Sequence, residues 1–163
     1  MKKAFIFDMD GTLMDNIPFH EQSWMQFLRA HGFDISEEEM IAKAYGTGRD
    51  AMRRFFGQLT DNQADTLIEE KEIIYRQLYR PHLSPRPGLQ VFLEKTRDLG
   101  LRTALGTAGD MGNVDFALDG LAMRHFFEKI TSAEDVSHGK PNPEVFLITA
   151  EKLGVSPRDC VVF

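Results

Sequence analysis

The chain has 163 residues, 42% of them hydrophobic, with 25 acidic against 19 basic side chains and a formal charge of -6. That suffices for one full domain, or for a small core carrying an insertion, and the scattered basic residues argue against a duplex-binding surface, so no nucleic-acid partner is expected. The first apolar run spans only residues 4 to 7 and the only cysteine, Cys160, cannot form an internal disulfide; neither signal peptide nor membrane span is predicted, and a cytoplasmic protein with no membrane partner is expected. Cys160 reads as a small buried side chain.

Residues 4 to 7, "AFIF", are apolar on both faces, as in a central parallel strand covered on both sides by helices. From Pro18 the period changes. "PFHEQSWMQFLRAHG" puts Phe19, Trp24, Phe27 and Leu28 near helical spacing and stops at His31-Gly32. "SEEEMIAKAYG" opens with Ser36 and Glu39 at capping-box spacing, "GRDAMRRFFG" is a short helix between glycines, and Thr60 with Gln63 opens another boxed helix. In that last helix Leu67, Ile68, Lys71, Ile74, Tyr75 and Leu78 share one stripe.

"SPRPG" (84 to 88) punctuates the chain. A helix follows with Leu89, Phe92, Leu93, Thr96 and Leu99 inward, then a strand in "LRTALGTAG", a helix over "NVDFALDGLAMRHFF", a short strand in "EKITSAEDV", a helix over "NPEVFLITAEKLG" starting at Pro141 or Asn142, and a strand in "DCVVF". This alternation implies a parallel sheet. The first strand belongs to it, so the expected fold class is α/β, with a core of residues 1–15 and 83–163 interrupted by an all-helical block over 16–82.

Ligands of such sheets bind outside the carboxyl ends of the strands, where Asp8 and Asp10 lie. Carboxylates two apart in extended chain point the same way, and a hard divalent cation such as magnesium, completed by phosphate and water, best relieves their repulsion. An EF-hand does not fit: counting from Asp8, the positions for its glycine and glutamate hold Leu13 and Phe19. "ALGTAG" brings the Thr107 hydroxyl and the N–H groups of Ala108 and Gly109 to the same edge, where a phosphate can approach backbone. Lys140, in "HGKPNPEVF", supplies a cation for a phosphoryl oxygen or for the aspartates.

In order and spacing, "DMDGTLMD", "GTAG" and "GKPNPEVF", with a helical insertion after the first, resemble the haloacid dehalogenase superfamily. The likeness is to its branch of beta-phosphoglucomutases and small sugar-phosphate phosphatases with a helical cap. The resemblance implies a Rossmann-like core and magnesium at Asp8 and Asp10. It makes Asp8 the nucleophile that forms an aspartyl phosphate and Asp10 the general acid and base, with Thr107 and Lys140 holding the transferring group. It places His20, Gly46, Arg49 and Lys71 of the cap, with Ala108 and Gly109 of the core, against a small phosphorylated substrate, and hinges near Asp15 to Pro18 and His82 to Pro87.

Three positions depart from the mutases of that branch: Tyr45 and Asp110 stand where they carry lysine, and Met52 where they carry serine. A mutase must grip two phosphates in turn, so hydrolysis of a small phosphorylated metabolite is favoured over phosphomutase action, with a non-catalytic relative as a third reading. The branch also carries an acidic pair after the strand that "DCVVF" resembles. Its absence, with that of the last core elements, leads us to expect a fragment of a protein of roughly 210 to 230 residues. Oligomeric state is left open, with a monomer favoured.

Overall fold

The computed structural model describes residues 2–163. Its contacts divide into two compact units, Met1–Asp15 with Leu83–Phe163, and Asn16–His82. In the first unit, β1 (Ala4–Phe7), β2 (Arg102–Gly106), β3 (Lys129–Thr131) and β4 (Cys160–Val162) form one sheet in the order β3-β2-β1-β4. All pairings are parallel, with Phe7 opposite Leu105 and Gly106 opposite Thr131. Every strand therefore ends at the same edge, and β1 is central as its two-sided apolarity predicts.

The second unit is helical: α1 (Ile17–Ala30), α2 (Glu37–Lys43), α3 (Gly48–Phe56) and α4 (Asp61–Tyr79). Capping boxes start α2 at Ser36 with Glu39 and α4 at Thr60 with Gln63, as their spacing predicts; Thr47 with Asp50 adds one at α3. Each satisfies two amide donors that a bare helix end would strand. Phe27, Leu28, Met40, Met52, Phe55 and Ala64 make the core of this unit, with Trp24, Leu67, Ile68 and Ile74 packed around them.

Three more helices, α5 (Leu89–Asp98), α6 (Met111–Gly120) and α7 (Glu144–Leu153), belong to the sheet unit. Ala4, Ile6, Ala104, Ala150, Leu153 and Cys160 form a core joined by Phe146 and Val155. The approach of α7 to β2 is close: a Cβ on Gly106 would lie 2.8 Å from Thr149 Oγ1 and 3.2 Å from Phe146 Cδ1. Elsewhere Phe7 stacks on Phe163 and meets Phe92 and Phe127 edge-on.

Four details differ from expectation. Phe92 and Leu99 are 40% and 76% exposed, because Leu99 caps the end of α5 and Phe92 spends its buried face on the rings of Phe5 and Phe7. The helix over 113–127 stops at Gly120 and resumes only as a 3-10 turn at Arg124–Phe126, after Ala122 takes a positive φ of 55°. The last helix begins at Glu144 rather than Pro141 or Asn142, with Asn142 Oδ1 accepting the Glu144 N–H at 3.0 Å. No helix among the described residues is long and apolar enough to cross a membrane.

Candidate active site

Asp8 is the first residue past β1, and its N–H donates to the Phe163 carbonyl at 3.0 Å. Its Oδ1 accepts the Met9 N–H at 2.9 Å, and its Oδ2 pairs with the Lys140 ammonium. Both side chains stay partly open, 23% for Asp8 and 33% for Lys140, so a ligand can reach them. The chain then folds back sharply. Thr12 and Leu13 donate to the Met9 carbonyl at 3.2 and 2.8 Å, Gly11 takes a φ of 72°, and Asp10 bridges to Met14. Only glycine adopts that φ without strain, which fixes its place directly after Asp10.

Thr107 follows β2, fully buried, with its N–H bonded to the Thr131 carbonyl at 2.9 Å and its Oγ1 accepting the Gly109 N–H at 3.0 Å. A Cβ on Gly109 would sit 3.0 Å from Met9 Cε, 3.4 Å from Thr107 Oγ1 and 3.7 Å from Asp10 Oδ2, so these side chains look onto one small space. Ala108 beside it is exposed. Asp110 is the N-cap of α6, its Oδ1 taking the Asn113 N–H at 2.7 Å.

The loop that delivers Lys140 is held from within. Glu144 accepts the N–H groups of Ser137 and His138 at 3.0 and 2.8 Å and the His138 ring at 2.9 Å. The Ser137 amide, then His138, keep its carboxyl below the usual carboxylate range. Sequence reasoning passed over Glu144, although an acid in the first turn of a helix is a recognisable signal.

Within the helical unit the candidate residues form two groups. His20 Nδ1 lies 3.4 Å from the buried Lys71 ammonium, which also pairs with Glu72 at 2.5 Å and sits 5.4 Å over the Trp24 ring. His20 stacks on Tyr75 at 3.7 Å between ring centroids, and Asn16 donates to the Tyr75 hydroxyl at 2.6 Å. Gly46 and Arg49 make the second group. Arg49 grips Asp65 with Nε and Nη2 at 2.7 and 2.6 Å and Asp61 with Nη1 at 3.0 Å, which engages three of its five N–H donors. Gly46 has a φ of 83°, in a loop whose Tyr45 ring lies 3.6 Å under the Arg54 guanidinium, while Met52 is buried in the helical core.

No three His, Cys, Asp or Glu side chains gather into a metal cage among the described residues. The Asp8 and Asp10 pair nonetheless suits magnesium, which takes one or two carboxylates and completes its octahedron with substrate phosphate and water.

A parallel sheet thus carries an acid pair, a threonine turn and a lysine at the edge where ligands of such sheets bind. The family model of haloacid dehalogenase-like hydrolases matches residues 2–163, and the chain belongs to that family. It is similar to the fructose-1-phosphate phosphatase YqaB of Escherichia coli, 33% identical over 98% of this chain and 85% of that protein. It is also similar to hexitol phosphatase A of the same organism, 31% identical over 98% of this chain and 73% of that one. Among solved structures, a beta-phosphoglucomutase from Clostridium difficile superposes with a TM-score of 0.84 at 25% identity, over 99% of this chain and 75% of that one.

Proposed function

We propose that the protein hydrolyses a small phosphorylated metabolite, such as a sugar phosphate, through an aspartyl phosphate on Asp8. The observation that carries the reading is the Asp8–Lys140 pair at the strand edge, which sets a cation beside a carboxylate oxygen. In the first step an oxygen of Asp8 attacks phosphorus, the bond from phosphorus to the substrate oxygen breaks, and protonated Asp10 gives that oxygen its proton. In the second, Asp10 takes a proton from water as the water attacks phosphorus, and the Asp8 carboxylate leaves with inorganic phosphate as the product. Lys140 balances charge on the transferring group, and Thr107 with the N–H groups of Ala108 and Gly109 orients its oxygens. Asp8 and Asp10 would hold magnesium, which when bound spreads the negative charge of the phosphoryl group.

In the cap, His20, Lys71, Gly46 and Arg49 are assigned to substrate recognition. Arg49 retains two N–H donors beyond those its carboxylates use, and the carboxylates fix the direction of the fork. The Tyr45, Met52 and Asp110 departures, with relatives named as phosphatases, support hydrolysis. The likeness to a beta-phosphoglucomutase supports phosphomutase action as a second reading.

Phosphate release from a panel of sugar phosphates in magnesium tests the proposal. Wild type should release phosphate and form an acid-labile phosphoprotein, and Asp8→Asn should do neither. Release retained in Asp8→Asn excludes the mechanism, and bisphosphate-dependent isomer formation without net release selects the mutase.

A further inference from the structure

A single residue outside the motifs holds the acid-bearing loop at three points, two through its side chain and one through its backbone. Arg86 donates from Nε to the Gly11 carbonyl at 3.0 Å and from Nη2 to Asp15 Oδ1 at 3.0 Å, while its backbone N–H donates to the Leu13 carbonyl at 2.8 Å. The side chains of Arg86 and Asp15 are 43% and 75% exposed, and ion pairs so open to water add little to global stability. A fork aimed at a backbone carbonyl has a local effect instead. Gly11 turns at a φ of 72° directly after Asp10, and glycine's own torsions resist rotation of the Gly11–Thr12 peptide weakly. The Thr12 N–H holds one side of that peptide on the Met9 carbonyl at 3.2 Å, and the Nε bond fixes the other side by holding the Gly11 carbonyl.

We infer that Arg86 is a positioning residue for Asp10: its guanidinium locks the Gly11 peptide and so sets where the Asp10 carboxyl stands relative to Asp8. The inference rests on the phosphatase reading only for its kinetic consequence. Misplacing a proton donor by about 1 Å costs on the order of a hundredfold in rate, and it does so most where the leaving oxygen needs that proton. Loss of the fork therefore separates substrates by leaving group. A sugar phosphate expels an alkoxide that must be protonated, whereas p-nitrophenyl phosphate expels a stabilised phenolate that need not be.

The test compares wild type, Arg86→Ala and Arg86→Lys by two measurements. In steady state, Arg86→Ala should lower kcat on a sugar phosphate by about 10- to 100-fold with KM within about 2-fold, and lower it at least about 5-fold less on p-nitrophenyl phosphate. By NMR hydrogen exchange, the Thr12 and Leu13 amides should exchange about tenfold faster in the variant, with Ala104 and Leu105 of β2 unchanged. Lysine keeps the charge opposite Asp15 but lacks the Nε donor, so Arg86→Lys should follow alanine in both. Equal loss on the two substrates, unchanged exchange at Thr12 and Leu13, or full recovery by lysine overturns the assignment. If wild type releases no phosphate the hydrolase reading fails, and exchange at Thr12 and Leu13 still decides the role of Arg86.

Discussion

The Lys140 ammonium meets Oδ2 of Asp8 across 132 positions of sequence. The contact joins the end of β1 to the loop before α7, so the pair exists only when the sheet and the Glu144-held loop are both in place. With lysine removed, Asp8 loses its counter-charge and, in the proposed mechanism, the transferring group loses a cation. Lys140→Ala should lower kcat on a sugar phosphate by about 10²- to 10³-fold, with a melting temperature close to wild type. Steady-state kinetics beside a thermal melt checks both halves.

Two glycines near the site should respond oppositely. In Gly106→Ala the new methyl meets Thr149 Oγ1 at 2.8 Å, and the far side is packed helix; overpacking of this kind costs about 1–3 kcal/mol. In Gly109→Ala the nearest atom is Met9 Cε at 3.0 Å, the movable end of a flexible side chain, but Asp10 Oδ2 is at 3.7 Å. The first variant should lose stability in denaturant titration. The second should lose turnover while its denaturation midpoint stays near wild type.

The turn into α3 is tied by charge. The Thr47 hydroxyl donates to Asp50 at 2.7 Å and holds the Asp50 carboxyl below the usual range. A lowered folded value means that this contribution is complete above about pH 4, the ordinary aspartate pKa, and fades as pH falls through the folded one. Asp50→Ala should cost about 1 kcal/mol at neutral pH. Melts of both proteins from neutral to acid should show the gap constant down to about pH 5 and closing below about pH 4.

Cys160 opens β4 and is 9% exposed. Burial pushes its thiol up, which leaves little thiolate to react. Labelling by a disulfide reagent near pH 8 should be slow in the native protein and immediate in denaturant. Rapid native labelling would show that β4 opens.

Much of this was readable from residues alone, because local signals and tertiary packing agreed. "AFIF" reads as a central strand and is one, and the boxes at Ser36 and Thr60 mark the starts of α2 and α4. Asp8 and Lys140 stand out in separate stretches, and the parallel register carries both to one edge. Other features depend on partners that no local pattern names. Leu99 fits the apolar stripe of α5 yet is exposed, since periodicity says nothing about where a helix ends. The resemblance sets Arg49 against substrate, but the carboxylates that hold it come from the next helix and no local pattern names them. Arg86 sits in "SPRPG", where prolines and glycine draw attention to the turn and away from the side chain.

The backbone bond from Arg86 to Leu13, 2.8 Å long, brings together the two stretches between which the helical unit is inserted. Doubling the length of a closed loop adds only about 0.6 kcal/mol of closure entropy, so what lies between these anchors is lightly constrained in size. The helical block can thus differ in length at little entropic cost to the bond that closes it.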